Sequence, residues 1–207
     1  MIRAVVFDFD GLIVDTESAL IDAFADVHAA HGRPFDRAEF LRAVGRVDYT
    51  FNPWAAFGPD ADHAALDRLR RDHNHRRDLA QPILPGVVAL LDAARAHGLR
   101  TAVASNSRRP HVEGHLRRLG LRERFEFVAC RDDVSAPKPD PELYRFVLAQ
   151  FHLAPPEAIA FEDSHTGTLA AKRAGLHVVA VPNASTAHHD FAHVDLRVAS
   201  LAECVLT

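Results

Sequence analysis

Ile2-Arg3-Ala4-Val5-Val6-Phe7-Asp8-Phe9-Asp10-Gly11 is the stretch from which the fold of this 207-residue chain can be read. The apolar run up to Phe7 predicts a buried strand, and it delivers two carboxylates, one residue apart, to its C-terminal end. Asp8 and Asp10 share a face if the strand geometry continues, and Gly11 then frees the backbone to turn sharply. Two like charges held that close need a cation or a proton between them. The pair points either to a divalent metal site or to one carboxyl kept protonated for acid and base work, and phosphoryl transfer can use both.

From residue 82 onward, short β-branched runs alternate with helical stretches, the pattern of βαβ units in a parallel sheet. Strands are expected at Arg100–Ala104, Phe127–Ala129, Ala158–Phe161 and His177–Val181, with helices at Val87–His97, Arg109–Leu119, Pro141–Phe151 and Thr166–Ala174. With the opening strand this makes five parallel strands. Between residues 15 and 81 only helical patterns occur, at Thr16–His31, Asp36–Ala43 and Asp62–Leu79. The opening strand finds no parallel partner until after this insert. Residues 1–14 and 82–207 are therefore expected to form an α/β core, a Rossmann-like parallel sheet with helices on both faces, and residues 15–81 an inserted all-helical cap.

A formal net charge of −4 argues against an electrostatic grip on nucleic acid, so any phosphate must be held by a local site. No basic leader or bilayer-length apolar run is seen, which predicts a cytoplasmic protein with no membrane partner, and a monomer is the default. Cys130 and Cys204 have no metal-ligand spacing and read as free thiols. Histidine clusters such as His73-Asn74-His75 and His188-His189 sit in polar surroundings and read as solvated surface rather than zinc ligands. Only Lys138 and Lys172 break a strong preference for arginine.

Ligands of an open parallel sheet bind beyond the carboxyl ends of its strands. Here those ends are followed by Asp8 and Asp10, by Ser105-Asn106-Ser107, by a loop leading to Lys138, and by Glu162-Asp163. Hydroxyls, an ammonium and four carboxylates converge. Asp8 through Glu17, Asp-Phe-Asp-Gly-Leu-Ile-Val-Asp-Thr-Glu, resembles the first signature of the haloacid dehalogenase superfamily in its phosphatase and phosphomutase branch, the β-phosphoglucomutase and phosphoglycolate phosphatase-like group. Ser105-Asn106-Ser107 resembles the second signature, Lys138 in Ala136-Pro137-Lys138-Pro139-Asp140 the third, and Phe161-Glu162-Asp163-Ser164-His165-Thr166-Gly167 with its trailing helix the fourth.

The resemblance implies a fold like the one expected above and a specific chemistry. Asp8 attacks phosphorus to give an aspartyl phosphate, and Asp10 protonates the leaving oxygen and then activates water. Mg2+ is bound by Asp8, the Asp10 carbonyl, Asp163 and, directly or through water, Glu162, with Lys138 screening charge and the Ser105 hydroxyl holding phosphoryl oxygens. The expected substrate-binding residues are Gly11 and Asn106 in the core and Arg46 and Arg71 in the cap. Asp10 needs a raised pKa, from desolvation or from its charged neighbours, to carry a proton at neutral pH. The partner is a small phosphorylated metabolite.

Rival chemistries are weaker. Halide leaves without protonation, so dehalogenation needs neither Asp10 nor magnesium, and the superfamily's phosphonate hydrolysis needs a cap lysine that residues 15–81 lack. A sugar phosphomutase of the β-phosphoglucomutase type shares every core signature. Where that mutase carries a histidine shortly after its first motif, however, this chain has Leu20, although Arg71 stands where the mutase has a sugar-contacting lysine. Outside the enzymes, a phospho-accepting receiver or a silent binding module also pairs acids with a lysine, but receivers are shorter and lack the helical insert. Within Val44 to Trp54 and the charged helix after it, Arg46, Arg71 and His73 suit a polar substrate tail. Tyr49, Phe51 and Trp54 pack either on a substrate ring or, more simply, in the cap's own core.

Overall fold

The computed structural model describes residues 1–43 and 51–206. Arg46 and Tyr49, singled out above, lie outside the described residues. Among those described, six parallel strands form one sheet: β1 (Ala4–Phe7), β2 (Arg100–Ala104), β3 (Phe127–Ala129), β4 (Ala158–Glu162), β5 (His177–Ala180) and β6 (Leu196–Arg197), in the spatial order β3-β2-β1-β4-β5-β6. The helices are α1 (Thr16–Ala30), α2 (Arg37–Ala43), α3 (His63–Ala80), α4 (Val87–Ala96), α5 (Arg109–Arg118), α6 (Glu142–Phe151) and α7 (His165–Ala174). The sheet has one strand more than expected. β6 is two exposed residues without apolar alternation, so its sequence carries no strand signal.

The chain divides into two compact units, residues 1–14 with 82–207, and residues 15–81. In the first, β1 lies between β2 and β4, and Phe7 is in register with Val103 on one side and Phe161 on the other. The order of the sheet reverses at β1, so its tip faces the crevice where such sheets bind ligands. Alternation along β1 sends Val5 and Phe7 to one face, where Leu90, Leu91 and Ala94 of α4 and Val112 and Leu116 of α5 cover them. Ala4 and Val6 face the opposite layer, built from Leu143, Tyr144 and Val147 of α6 and Ala170, Ala171 and Ala174 of α7. Each such leucine, fully buried, contributes about 1.5–3 kcal/mol. Cys130, just after β3, is buried and Cys204 half-buried, and both are free thiols.

The unit of residues 15–81 is entirely helical in its described regular structure. Asp15 caps α1 by accepting from Ser18 N at 3.0 Å, and Asp62 caps α3 by accepting from Ala65 N at 2.9 Å. Its own core gathers Ile21, Phe24, Val27, Phe40, Trp54 and Leu66, and the Phe24 ring lies 5.0 Å from those of Phe40 and Trp54. Leu20 and Phe51 pack against that cluster, so Phe51 and Trp54 serve as core. Arg77 forks onto Asp26 at 2.8–2.9 Å, and His73 joins the same carboxylate at 3.2 Å, tying α3 to α1. The solvated reading of the histidines fails at His28 and His115, only 2% and 4% exposed. His28 meets the carbonyls of Pro34 and Pro53 at 2.7 and 2.8 Å. No described helix is long and apolar enough to cross a membrane.

Leu116→Ala empties space under the sheet and is expected to cost about 2–5 kcal/mol. Val88→Ala, at an exposed position on α4, stays within about 0.5 kcal/mol. Urea unfolding midpoints measure both, and equal losses would contradict the packing described.

Candidate active site

Three strand tips and the loops after two further strands supply the polar groups around the end of β1. Asp8 continues β1 by one residue, donating its N–H to Phe161 O at 2.9 Å, and is 7% exposed. Lys138 reaches it from the loop before α6 and spends all three ammonium hydrogens on protein oxygens: Asp8 Oδ1 at 2.7 Å, Glu162 Oε1 at 2.5 Å and Ala104 O at 2.7 Å. The Tyr144 hydroxyl, wholly buried on α6, donates to the same Glu162 oxygen. Asn106 clamps the lysine loop, accepting from Lys138 N at 2.8 Å and donating to Lys138 O at 3.3 Å. The Asn106 side chain, expected at the substrate, is thus engaged with backbone.

Asp10 is wired separately. It accepts from Ser107 Oγ at 2.6 Å and Ser105 Oγ at 3.2 Å, and it meets His111 Nε2 at 3.1 Å. His111 lies near the start of α5, with its ring edge-on to Phe9 at 5.7 Å. The first-motif turn is fixed by Phe9 O, which accepts from Ile13 N at 2.9 Å, and by Gly11 N, which donates to Val14 O at 2.8 Å. Gly11 takes φ +77°, and a Cβ there would come within 2.5 Å of both Asn183 Nδ2 and Asp163 Oδ2, so only glycine fits. Gly167 is required for a similar reason, because a Cβ would sit 1.9 Å from Glu162 Oε2. Ser164 caps α7 by accepting from Gly167 N at 3.2 Å, which fixes the turn that follows Asp163.

Of the residues singled out in the sequence, Asp8, Asp10, Gly11, Ser105, Asn106, Lys138, Glu162 and Asp163 come together at this edge of the core. Arg71 lies on α3 of the other unit and is exposed. Three partners escaped the sequence reading. His111 looked like one more polar histidine in an arginine-rich helix. Tyr144 looked like ordinary core. Asn183, in the loop after β5, carries no acid, base or charge to flag it, and its only signal was its place just beyond a strand tip.

Carboxylate oxygens of Asp8, Glu162 and Asp163 lie within 4.8 Å of one another and are all buried. With Lys138 as the cation bonded to two of them, ionised acids leave an excess of two negative charges. Burial, and after it the negative charge of Glu162, pushes Asp8 up to about 8, although Lys138 opposes this. Lys138 is itself held above the usual ammonium range, since its two carboxylate partners outweigh the cost of burial. Burial and the same carboxylates keep the Tyr144 hydroxyl protonated.

A family model for haloacid dehalogenase-like hydrolases matches residues 5–181. The chain belongs to the haloacid dehalogenase-like hydrolase family. The hydrolase is 38% identical over 210 residues to YhcW of Bacillus subtilis (strain 168), a protein provisionally named a phosphatase, covering 100% of this chain and 95% of that one. It is 30% identical over 209 residues to hexitol phosphatase B of Escherichia coli (strain K12), covering 98% and 94% of the two chains. Among solved structures, CbbY from Rhodobacter sphaeroides in complex with phosphate superposes with a TM-score of 0.77 at 31% identity, over 98% of this chain and 96% of that one.

The magnesium ion that this family implies fits the residues present. The donors are hard oxygens, their charge excess equals that of a divalent cation, and Glu162 Oε2 is buried without a hydrogen-bond partner. Asp8, Glu162 and Asp163 are the residues that could hold it.

Lys138→Met leaves buried carboxylates without their cation and is expected to cost about 3–5 kcal/mol in denaturant unfolding. A loss below about 1 kcal/mol would show that the lysine is not their structural counter-ion. The raised Asp8 has its own signature in metal-free protein. Unfolded, it ionises near 3.8; folded, near 8. Its contribution to stability is whole below the lower value and is lost as pH rises through the upper one. Asp8→Asn cannot ionise, so its stability relative to wild type is expected to climb between about pH 4 and pH 8 in chelator. A pH-independent difference would remove the assignment.

Proposed function

We propose that this hydrolase is a magnesium-dependent phosphatase of a small phosphate monoester, working through an aspartyl phosphate on Asp8. The observation that carries the reading is the buried Lys138 ammonium bonded at once to Asp8 and Glu162, next to Asp163, at the point where the order of the sheet reverses. The phosphatase names of two relatives and the phosphate bound to CbbY support it.

In this mechanism a carboxylate oxygen of Asp8 forms a bond to phosphorus as the bond to the ester oxygen breaks. Asp10 gives its proton to that departing oxygen. The resulting carboxylate then takes a proton from the water that cleaves the aspartyl phosphate, which restores Asp8 and frees inorganic phosphate. The hydrogen bond from Ser107, with His111 alongside, holds Asp10 in one orientation for both transfers, while the single Ser105 O–H, on Asp10 in the free protein, turns to the phosphoryl group. Lys138 sets a fixed positive charge against the nucleophile, and Ser105, with the backbone at Gly11, receives phosphoryl oxygens. Mg2+ held by Asp8, Asp163 and the Asp10 carbonyl, with Glu162 close by, supplies, when bound, the charge that offsets repulsion between anionic nucleophile and anionic ester.

Choice among esters is assigned to the helical unit acting as a cap, with Arg46 and Arg71 as its charged contacts. Plain hydrolysis is favoured over a phosphomutase because Leu20, packed against the core of its unit, offers neither acid nor base.

The test is phosphate release from p-nitrophenyl phosphate and a panel of phosphorylated sugars, with Mg2+ and with EDTA. Chelation is expected to abolish turnover, and Asp8→Asn and Asp10→Asn each to lower kcat by about a thousandfold or more. Near wild-type turnover in either variant, or in EDTA, sinks the proposal.

A further inference from the structure

Asn183 joins the last loop of the sheet to the first. Its Nδ2 donates to Gly11 O at 3.1 Å and to Asp163 Oδ2 at 2.9 Å. The opposite end of the same amide, Oδ1, accepts from Ser185 N at 2.8 Å, Thr186 N at 3.2 Å and Thr186 Oγ1 at 3.3 Å. Thr186 Oγ1 in turn accepts from Asn183 N at 3.1 Å, and Ser185 and Thr186 are 2% and 0% exposed. The amide can stand only one way round, because reversing it would set its N–H2 against backbone N–H groups and its oxygen against oxygens.

From this we infer that Asn183 is a positioning residue for the magnesium site, resting on the metal reading proposed above. Its two acceptors belong to the two chain segments that would share the ion. Asp163 would ligate through its carboxylate and the first motif through the Asp10 carbonyl. That carbonyl belongs to the peptide plane whose N–H, on Gly11, is tied to Val14 O at 2.8 Å. Fixing Gly11 O as well pins the next peptide of the turn, so the backbone donor and the Asp163 carboxylate are held at a set spacing by one planar group. The absence of a Cβ at Gly11 is what admits the amide to that position. Outer partners of this kind typically change metal affinity by roughly 10–100-fold when removed.

Asn183→Ser keeps a short oxygen for the turn at Ser185 and Thr186 but cannot span to Gly11 and Asp163. Thr186→Val does the opposite, weakening the turn and leaving the bridge. Mn2+ binding to chelator-treated protein, followed by the loss of the free-ion electron paramagnetic resonance signal, gives affinity without reference to turnover. Thermal melting in EDTA checks the fold of each variant. Asn183→Ser is expected to raise the Mn2+ Kd roughly tenfold, and Thr186→Val to change it by less than about twofold. Equal Kd values for wild type and Asn183→Ser overturn this inference alone. So does an equal loss in both variants, which would make the effect a matter of loop stability. A wild-type protein that takes up no Mn2+ overturns the metal reading and the inference together.

Discussion

A single ammonium group organises the core's polar end. Lys138 is buried, and every hydrogen it owns is spent on an oxygen from a different element: the residue after β1, the end of β2 and the end of β4. An isolated charge at that depth would be far too costly to bury, so the loops that carry the lysine and the acids must close together or not at all. Asn106 fastens the lysine loop and Tyr144 buttresses Glu162, and both act on the same knot. The site's geometry is thus set by charge satisfaction among strand tips, with the apolar layers below providing a rigid floor.

The two aspartates of the first motif have been given different company. Asp8 lives among charges, where burial and Glu162 raise its proton affinity and Lys138 lowers it. Asp10 lives among hydroxyls and an imidazole. Neighbouring carboxylates with distinct surroundings can take distinct chemical parts, one as nucleophile and the other as proton carrier. Phe9 between them is buried in the apolar layer.

What could be read in the sequence follows from this physics. Strands β1 to β5 announced themselves because each is mostly buried and carries a short run of apolar residues. The acids and Ser105 announced themselves because charge and hydroxyl directly after such a run have few structural excuses, and Lys138 because a lysine between prolines stands out in a chain that prefers arginine. β6 stayed hidden because two exposed residues need no apolar pattern. Asn183 and Tyr144 stayed hidden because an amide in a turn and a tyrosine in a helix look like ordinary structure until a partner distant in the chain is known. His111 was passed over because its helix is rich in arginine and reads as solvated. Phe51 and Trp54 were correctly suspected of being core, since a short insert must find its own apolar interior, and they join Phe24 and Phe40 in supplying it.

The central place of β1 has a consequence for biosynthesis. Ala4 pairs with Arg100 on one side and Ala158 on the other, so this apolar strand is made well before either of its neighbours. Until β2 and then β4 have been made, Ala4–Phe7 is an unsatisfied strand with two open edges, the sort of segment on which chaperones and aggregation both act. Asp8 meets its charged partners only when Glu162 has been added. A nascent chain that has completed the entire helical insert is therefore still without its reactive centre, whose clustered acids are complete only once Asp163 has been made.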